Sequence, residues 1–294
     1  MSTDKRVLKS NGRVAHSSLE GQVRAERFTD GESWQVVTDR AILSDAAGIK
    51  RERELILGQK FRVLEVRDRI AFGFSEHNGY VGYVDTISLA RNMPEPTHRV
   101  AVPMTIAKAA PDLKARNEVA MFSHGSEVAV LGQQGDWAEF ASHTGDEDDT
   151  PGSLWVPRQH LVPIDRIEND PAAVAEMYLG TPYLWGGNSV FGLDCSGLVQ
   201  AACLTCGIPC PGDSDQQQAA LGVDLPRHVP LRRNDLLFWK GHTGIVVSDE
   251  MFLHANAHHM QVAYEPLDSV FARIGSRGEA SVARRARLDL VARR

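Results

Sequence analysis

Gly192-Leu193-Asp194-Cys195-Ser196-Gly197-Leu198 is a glycine-rich turn that runs straight into a helical pattern and delivers one cysteine to the start of that helix. Leu198, Ala202 and Thr205 fall on one stripe, and Val199, Cys203 and Cys206 on an adjacent one. With Gly207 as the stop and Pro209 just beyond, the spacing predicts a helix from about Cys195 to Cys206. A cysteine in that position faces unpaired backbone N–H groups and the positive end of the helix dipole, both of which favour thiolate. A free cysteine has a pKa of about 8.5, and such surroundings take a catalytic thiol to roughly 3.5–7.5. The same N–H groups can receive the oxyanion of a tetrahedral intermediate. Gly192 and Gly197 read as room for a substrate backbone.

A nucleophilic thiol needs a base, and the chain downstream offers His242, which begins the apolar strand His242-Thr243-Gly244-Ile245-Val246-Val247 after Lys240-Gly241. Twelve residues on, His254 ends the strand Met251-Phe252-Leu253-His254. In a hairpin whose loop is Val247 to Asp249, centred on Ser248, the two histidines are direct cross-strand partners on one face. An odd loop is required, because an even one sends His254 to the opposite face. The chemical reading is Cys195 as nucleophile, His242 as general base and then acid, and His254 as the neutral group that orients His242.

Other cysteines and histidines carry plainer readings. A helical cysteine is more often a small buried hydrophobe than a nucleophile, and Cys203, Cys206 and Cys210 keep that reading. Cys203-x-x-Cys206 with Cys210 has no obvious fourth ligand for zinc, so no metal is expected. His258 and His259 read as surface or loop residues.

Upstream, Asp170 is a good N-cap, Pro171 suits the first helical position, and Ala173, Val174, Met177 and Tyr178 recur at helical spacing until Gly180. An aromatic loop, Thr181-Pro182-Tyr183-Leu184-Trp185-Gly186-Gly187, leads to the opening stretch. A third short helix starts at Asp213. Asp235 to Trp239 and Gln261 to Tyr264 complete a run of strands. Helices first and an antiparallel sheet afterwards make an α+β domain over residues 165–294. Its arginine-rich end from Arg284 to Arg294 reads as an edge strand with solvated charges, or as a contact for substrate carboxylates.

Residues 1–32 read as an arm packed on a neighbour or partly disordered. The texture of short alternating strands then appears twice. Leu57 to Leu64, Ile70 to Phe74 and Tyr80 to Val84 are matched by His124 to Leu131, Trp137 to Phe140 and Leu154 to Pro157. Gly58 aligns on Gly125 and Leu89 on Leu161, so the second copy carries about five extra residues, assigned to the acidic loop Gly145 to Gly152, read as solvated. Two tandem strand-rich units, residues 33–92 and 97–164, suggest small all-β barrels. Their order of a glycine strand, an aromatic strand and Gly79-Tyr80-Val81-Gly82-Tyr83-Val84 resembles that of bacterial SH3b domains.

Composition excludes some classes. The chain has 294 residues, 43% apolar and 24% charged, an ordinary globular balance. A net charge of −6 and a pI near 6.0 give no long-range attraction for nucleic acid or anionic lipid. No stretch of about 18 apolar residues spans a membrane. Met1 to Arg13 lacks the apolar core of a secretory signal, and all four cysteines lie within sixteen residues. Both features lead us to expect a cytoplasmic protein in a reducing compartment.

Five ordered motifs between about residues 170 and 265 resemble the NlpC-type family of cell-wall cysteine peptidases. They are Tyr183 to Gly187, Asp194-Cys195-Ser196-Gly197, Asn234 to Trp239, Gly241 to Val246 and Leu253-His254-Ala255. The resemblance implies a papain-like core with a Cys-His-His triad, whose roles fall by motif position on Cys195, His242 and His254. Asn234 stands where the family commonly has glycine, and Thr243 where valine is commoner. With the SH3b-like units ahead, the chain is similar to the subgroup of γ-D-glutamyl-L-diamino-acid endopeptidases that processes muropeptides. In that subgroup the first SH3b domain walls off one end of the cleft and selects a free N-terminal L-alanine. By that resemblance Asp194 and Tyr80 meet the substrate ammonium, with Glu52 or Glu54 as acidic helpers, while Ser196, Tyr183 and Trp185 line the cleft. The implied substrate is a murein peptide, L-Ala-γ-D-Glu-diamino acid, processed in recycling with no cofactor. Two rivals stand beside this one: a catalytically silent wall-peptide binding protein, and an acyltransferase on the same core. The oligomeric state is left open.

Overall fold

The computed structural model describes residues 4–45, 50–116, 118–143, 151–276 and 282–290. Two compact units divide it, Met1–Arg166 and Ile167–Arg294. Of the acidic loop, residues 145–150 lie outside the described residues, and Pro151 and Gly152 open the strand Pro151–Pro157.

In the first unit, the first repeat is a seven-stranded sheet in the order Arg51–Ile56, Arg40–Ser44, Val81–Asp85, Ile70–Ser75, Lys60–Arg67, Glu32–Val36, Leu89–Ala90. Alternation along these strands sends Trp34, Val36, Leu43, Leu55, Phe61, Val63 and Tyr80 into one core. The second repeat builds a five-stranded sheet and a three-stranded one around Phe122, Phe140 and Val156. Gly58 and Gly125 both take positive φ, +86° and +83°, so the aligned glycines make the same turn. Each repeat also passes through a short 3₁₀ turn, Thr86–Ser88 or Arg158–His160, before its last strand. Leu57 of the first repeat joins the core of the second. Ahead of the first barrel, Val14–His16 pairs in parallel with Arg27–Thr29, and Val14 is fully buried in a cluster with Leu64, Phe72, Phe74 and Val81.

The second unit holds helices α1 (Pro171–Glu176), α2 (Cys195–Thr205), α3 (Ser214–Ala220) and α4 (Leu267–Ser276). Besides the short pair Asn188–Ser189 and Gly192–Leu193 ahead of α2, its strands are β1 (Val223–Asp224), β2 (Asp235–Trp239), β3 (His242–Val246), β4 (Met251–Asn256), β5 (Gln261–Pro266) and β6 (Arg284–Arg287); the short pair stands apart from these six. The six form one antiparallel sheet in the order β1-β6-β2-β3-β4-β5. Helix α2 is buried along most of its surface and lies on β3 and β4, sharing a core of Leu198, Val199, Ala202 and Cys203 with Leu236, Phe238, Ile245 and Leu253. The two apolar stripes of the sequence thus belong to a central helix with apolar contacts on several sides.

The arginine-rich strand β6 is not at the edge, contrary to the sequence reading. It lies between β1 and β2 and buries Ala286 completely. Its charges are paired instead of solvated: Arg287 donates to both oxygens of buried Asp235 at 2.8 Å, and Arg284 donates to Asp224 and to the carbonyls of Gln218 and Leu221.

Candidate active site

Asp194 caps α2. Its Oδ1 accepts from the Gly197 N–H at 2.7 Å and the Ser196 hydroxyl at 2.9 Å, while Oδ2 accepts from the Gly186 N–H at 2.9 Å. One carboxylate therefore ties the helix start to the glycine end of the aromatic loop and sets Cys195 on the first helical residue. Cys195 itself is 6% exposed. The loop is held again where the Leu184 N–H donates to Leu193 and the Tyr183 N–H to Met260.

Gly192 and Gly197 have a different task from the one their sequence suggested. A Cβ on Gly197 would lie 2.5 Å from the Gly187 carbonyl oxygen, and one on Gly192 would lie 2.7 Å from the Leu184 side chain. The space beside each is filled by the protein's own loop, so these glycines permit the turn to close on the helix.

On the sheet, β3 and β4 pair Ile245 with Leu253 and Val246 with Phe252, and the Val247 N–H donates to Met251. The hairpin is centred on Asp249, not Ser248. Its loop remains odd, so His242 and His254 share a face as expected, but the register is displaced by two residues. Continuing the ladder puts Gly244 opposite His254 and makes the histidines diagonal neighbours. Their rings still meet, His242 Nε2 to His254 Nδ1 at 2.9 Å, with centroids 5.1 Å apart. Gly244 leaves the room: a Cβ there would come within 2.8 Å of His254 Cβ and 2.6 Å of Phe252 Cζ.

The electrostatics favour neutral rings. Burial lowers His242 from its usual 6.5 to about 4; Arg273 pushes the same way, while Glu265 and Asp194 push back. That Asp194 acts on this ring places the start of α2 within electrostatic reach of His242. Burial also lowers His254, which is fully enclosed, and the neighbouring His242 adds to it. Beyond His254 stands Glu265 on β5, whose Oε2 accepts from His254 Nε2 at 3.1 Å, and Arg273 on α4 donates to both of its oxygens. Burial works to raise the Glu265 pKa, but Arg273 and His254 outweigh it and hold the carboxyl below 4.5.

Residues 180–273 match the model of the NlpC/P60 family, and residues 43–89 match the bacterial dipeptidyl-peptidase SH3 domain. The chain carries an NlpC/P60 domain. Its relatives include the γ-D-glutamyl-L-lysine dipeptidyl-peptidase of Bacillus subtilis strain 168, 34% identical over 116 residues that cover 35% of this chain and 38% of that protein. Dipeptidyl-peptidase 6 of Lysinibacillus sphaericus is 32% identical over 93 residues, 31% of this chain and 33% of its own. The matches thus span about a third of each relative's length. An NlpC/P60 family protein from Bacillus cereus superposes with a TM-score of 0.72 at 19% identity, covering 87% of this chain and 99% of its own. The likeness shows the fold: a papain-like α+β domain with SH3-like all-β structure ahead of it.

Within the NlpC/P60 domain, His242 and His254 meet on β3 and β4, the strands against which α2, the helix that Cys195 opens, is packed. Ser196 is 3% exposed, its hydroxyl on Asp194 and its carbonyl accepting from Gln217. Tyr183 is half-buried against the main core, and Trp185 projects with 70% of its surface exposed. Tyr80 belongs to the other unit, in the core of the first barrel, with the Arg53 guanidinium 5.9 Å from its ring. His258 and His259 sit in the exposed β4–β5 turn, and Asn256 accepts from the His259 N–H. Among the described residues, His254, His259 and Glu265 offer three ligand atoms within 4.8 Å of one another. The Arg273 guanidinium already occupies that carboxylate, putting positive charge where a cation would stand. Sequence reasoning passed over Glu265 and Arg273. The available signal was a carboxylate at an inward position of β5, two residues from the partner of His254.

Proposed function

We propose that this chain is a cysteine endopeptidase that hydrolyses the γ-D-glutamyl to L-diamino-acid bond of murein peptides bearing a free N-terminal L-alanine. The observation that carries this reading is the hydrogen-bonded His242–His254 pair, on strands against which α2, the helix opened by Cys195, is packed. The name of one curated relative, the γ-D-glutamyl-L-lysine dipeptidyl-peptidase of Bacillus subtilis, supports the bond type.

In this mechanism His242 takes the thiol proton and the Cys195 sulfur attacks the γ-glutamyl carbonyl carbon, while backbone N–H groups at the start of α2 receive the oxyanion. His242 then returns the proton to the departing amine, leaving a thioester. A water molecule loses a proton to His242 and attacks the thioester; collapse frees the acid and gives that proton back to the sulfur. The same reading makes the protein a cytoplasmic recycler of imported wall peptides, for which four cysteines clustered within sixteen residues are suitable.

The test incubates the protein with L-Ala-γ-D-Glu-diaminopimelate, its lysine counterpart and the N-acetylated forms, with Cys195→Ala as control. Cleavage of the free peptides alone is expected. Binding without cleavage would replace the peptidase reading with a binding protein, and transfer to an added amine in place of water would make it an acyltransferase. Equal cleavage of acetylated and free peptides would remove the N-terminal requirement. Cell fractionation tests the compartment.

A further inference from the structure

We infer that Glu265, held by Arg273, is a positioning residue that fixes the tautomers of His254 and His242 and so leaves the lone pair of His242 Nδ1 free to act as base. This rests on the proposed triad and extends it by two residues.

An ionised carboxylate can only accept hydrogen bonds. Glu265 Oε2 lies 3.1 Å from His254 Nε2, so that nitrogen carries the proton. Neutral His254 has one N–H, which leaves its Nδ1 as an acceptor. His242 Nε2, 2.9 Å away, must then be the donor, and neutral His242 keeps its own lone pair on Nδ1. Each step follows from the one before, and the carboxylate sets the direction of the whole chain. A protonated Glu265 could donate and reverse it. Arg273 guards against that reversal, since its Nε and Nη2 engage Oε1 and Oε2 at 2.9 and 2.7 Å on a side chain only 8% exposed.

The charges have a second use. When His242 receives the thiol proton, its Nε2–H points at the His254 Nδ1 lone pair, and the Glu265 charge lies one ring further along. No proton needs to leave His254. The groups around this chain are Asp194 at the start of α2, Arg273 on α4, His259 in the β4–β5 turn and Glu265 on β5.

Two readouts test the inference. In Cys195→Ala protein labelled with ¹⁵N-histidine, ring-nitrogen spectra should show His254 and His242 protonated at Nε2. In the added Glu265→Leu background, a measurable population of each should move its proton to Nδ1. A wild-type His254 protonated at Nδ1, or tautomer populations unchanged by Glu265→Leu, would overturn the inference whether or not the enzyme cleaves the proposed peptide. In the active protein, Glu265→Leu should lower kcat about 10–100-fold, the range seen for partners that orient functional histidines, with KM within about twofold. Glu265→Gln keeps an acceptor at the Oε2 position and should recover most of that loss. Because Leu removes the Glu265 carboxylate from Arg273, thermal melts of both variants accompany the kinetics; a Gln variant that folds yet is as slow as Leu would also refute the hydrogen-bond role.

Discussion

His242 Nε2 and His254 Nδ1 stand 2.9 Å apart although the ladder makes the two residues diagonal neighbours and not cross-strand partners. The bond reaches across because residue 244, between them on the facing strand, is glycine.

A ring that orients through an acceptor nitrogen can be replaced by a side chain with an acceptor oxygen. We expect His254→Asn and His254→Gln to keep more activity than His254→Leu, which should lose about 10²–10⁴-fold in kcat, bounded by the cost of a wrong tautomer in a serine triad. Steady-state rates on the murein tripeptide decide it; equal rates for the three variants would remove His254 from the mechanism.

Alanine at position 244 would drive a methyl into Phe252 and His254. The cost in stability should be about 1–3 kcal/mol, as for other overpacked cores. The larger effect should be on kcat, because the displaced ring is the one that holds the base. Chemical melts and kinetics together separate the two, and a variant with normal kcat would show that the close approach is irrelevant to catalysis.

The low pKa of His242 has a direct kinetic consequence. A base held near 4 by burial stays unprotonated well below the ordinary histidine range. The acid limb of kcat/KM should therefore fall as pH drops through about 4, not through 6.5. A limb centred near 6.5 would mean that the ring is more solvated than its surroundings indicate.

Stability should follow the same groups. His124 and His242 are each lowered to about 4, mainly by burial, and His254 is lowered too. Below 6.5 the unfolded chain binds protons that the native chain refuses, so stability present above that pH is lost as pH falls toward about 4. Where all three are neutral in the native state and charged in the unfolded one, the slope approaches about 1.4 kcal/mol per pH unit for each. Urea melts of Cys195→Ala at about pH 7 and about pH 5 measure it, and identical midpoints would contradict the burial of these rings.

The parts of the site set by periodicity were legible in the sequence. A strand alternates with period two, so an odd loop puts His242 and His254 on one face whatever the exact register. Register itself depends on which residues leave the ladder. Ser248 does so because its hydroxyl accepts from the N–H groups of Glu250 and Met251, a local side-chain choice that alternation does not encode. Strand β6 was misread for a related reason: its outer neighbour β1 has only two residues, too few to show a pattern, and the partners that neutralise its arginines come from distant positions. Glu265 escaped notice because a lone carboxylate in a strand looks like an exposed residue until the helix that carries Arg273 is folded over it.

The place of β6 also bears on when the proposed site can be assembled. Strand β2, which leads into the base-bearing hairpin, receives its outer neighbour from residues 284–287, made by the ribosome only after β3, β4, β5 and α4. While those residues are still inside the exit tunnel, one edge of β2 stays open and Asp235 waits for Arg287. A nascent chain therefore carries all three side chains of the proposed triad before it has the sheet that aligns them, and the proposed peptidase activity should appear as synthesis closes that gap.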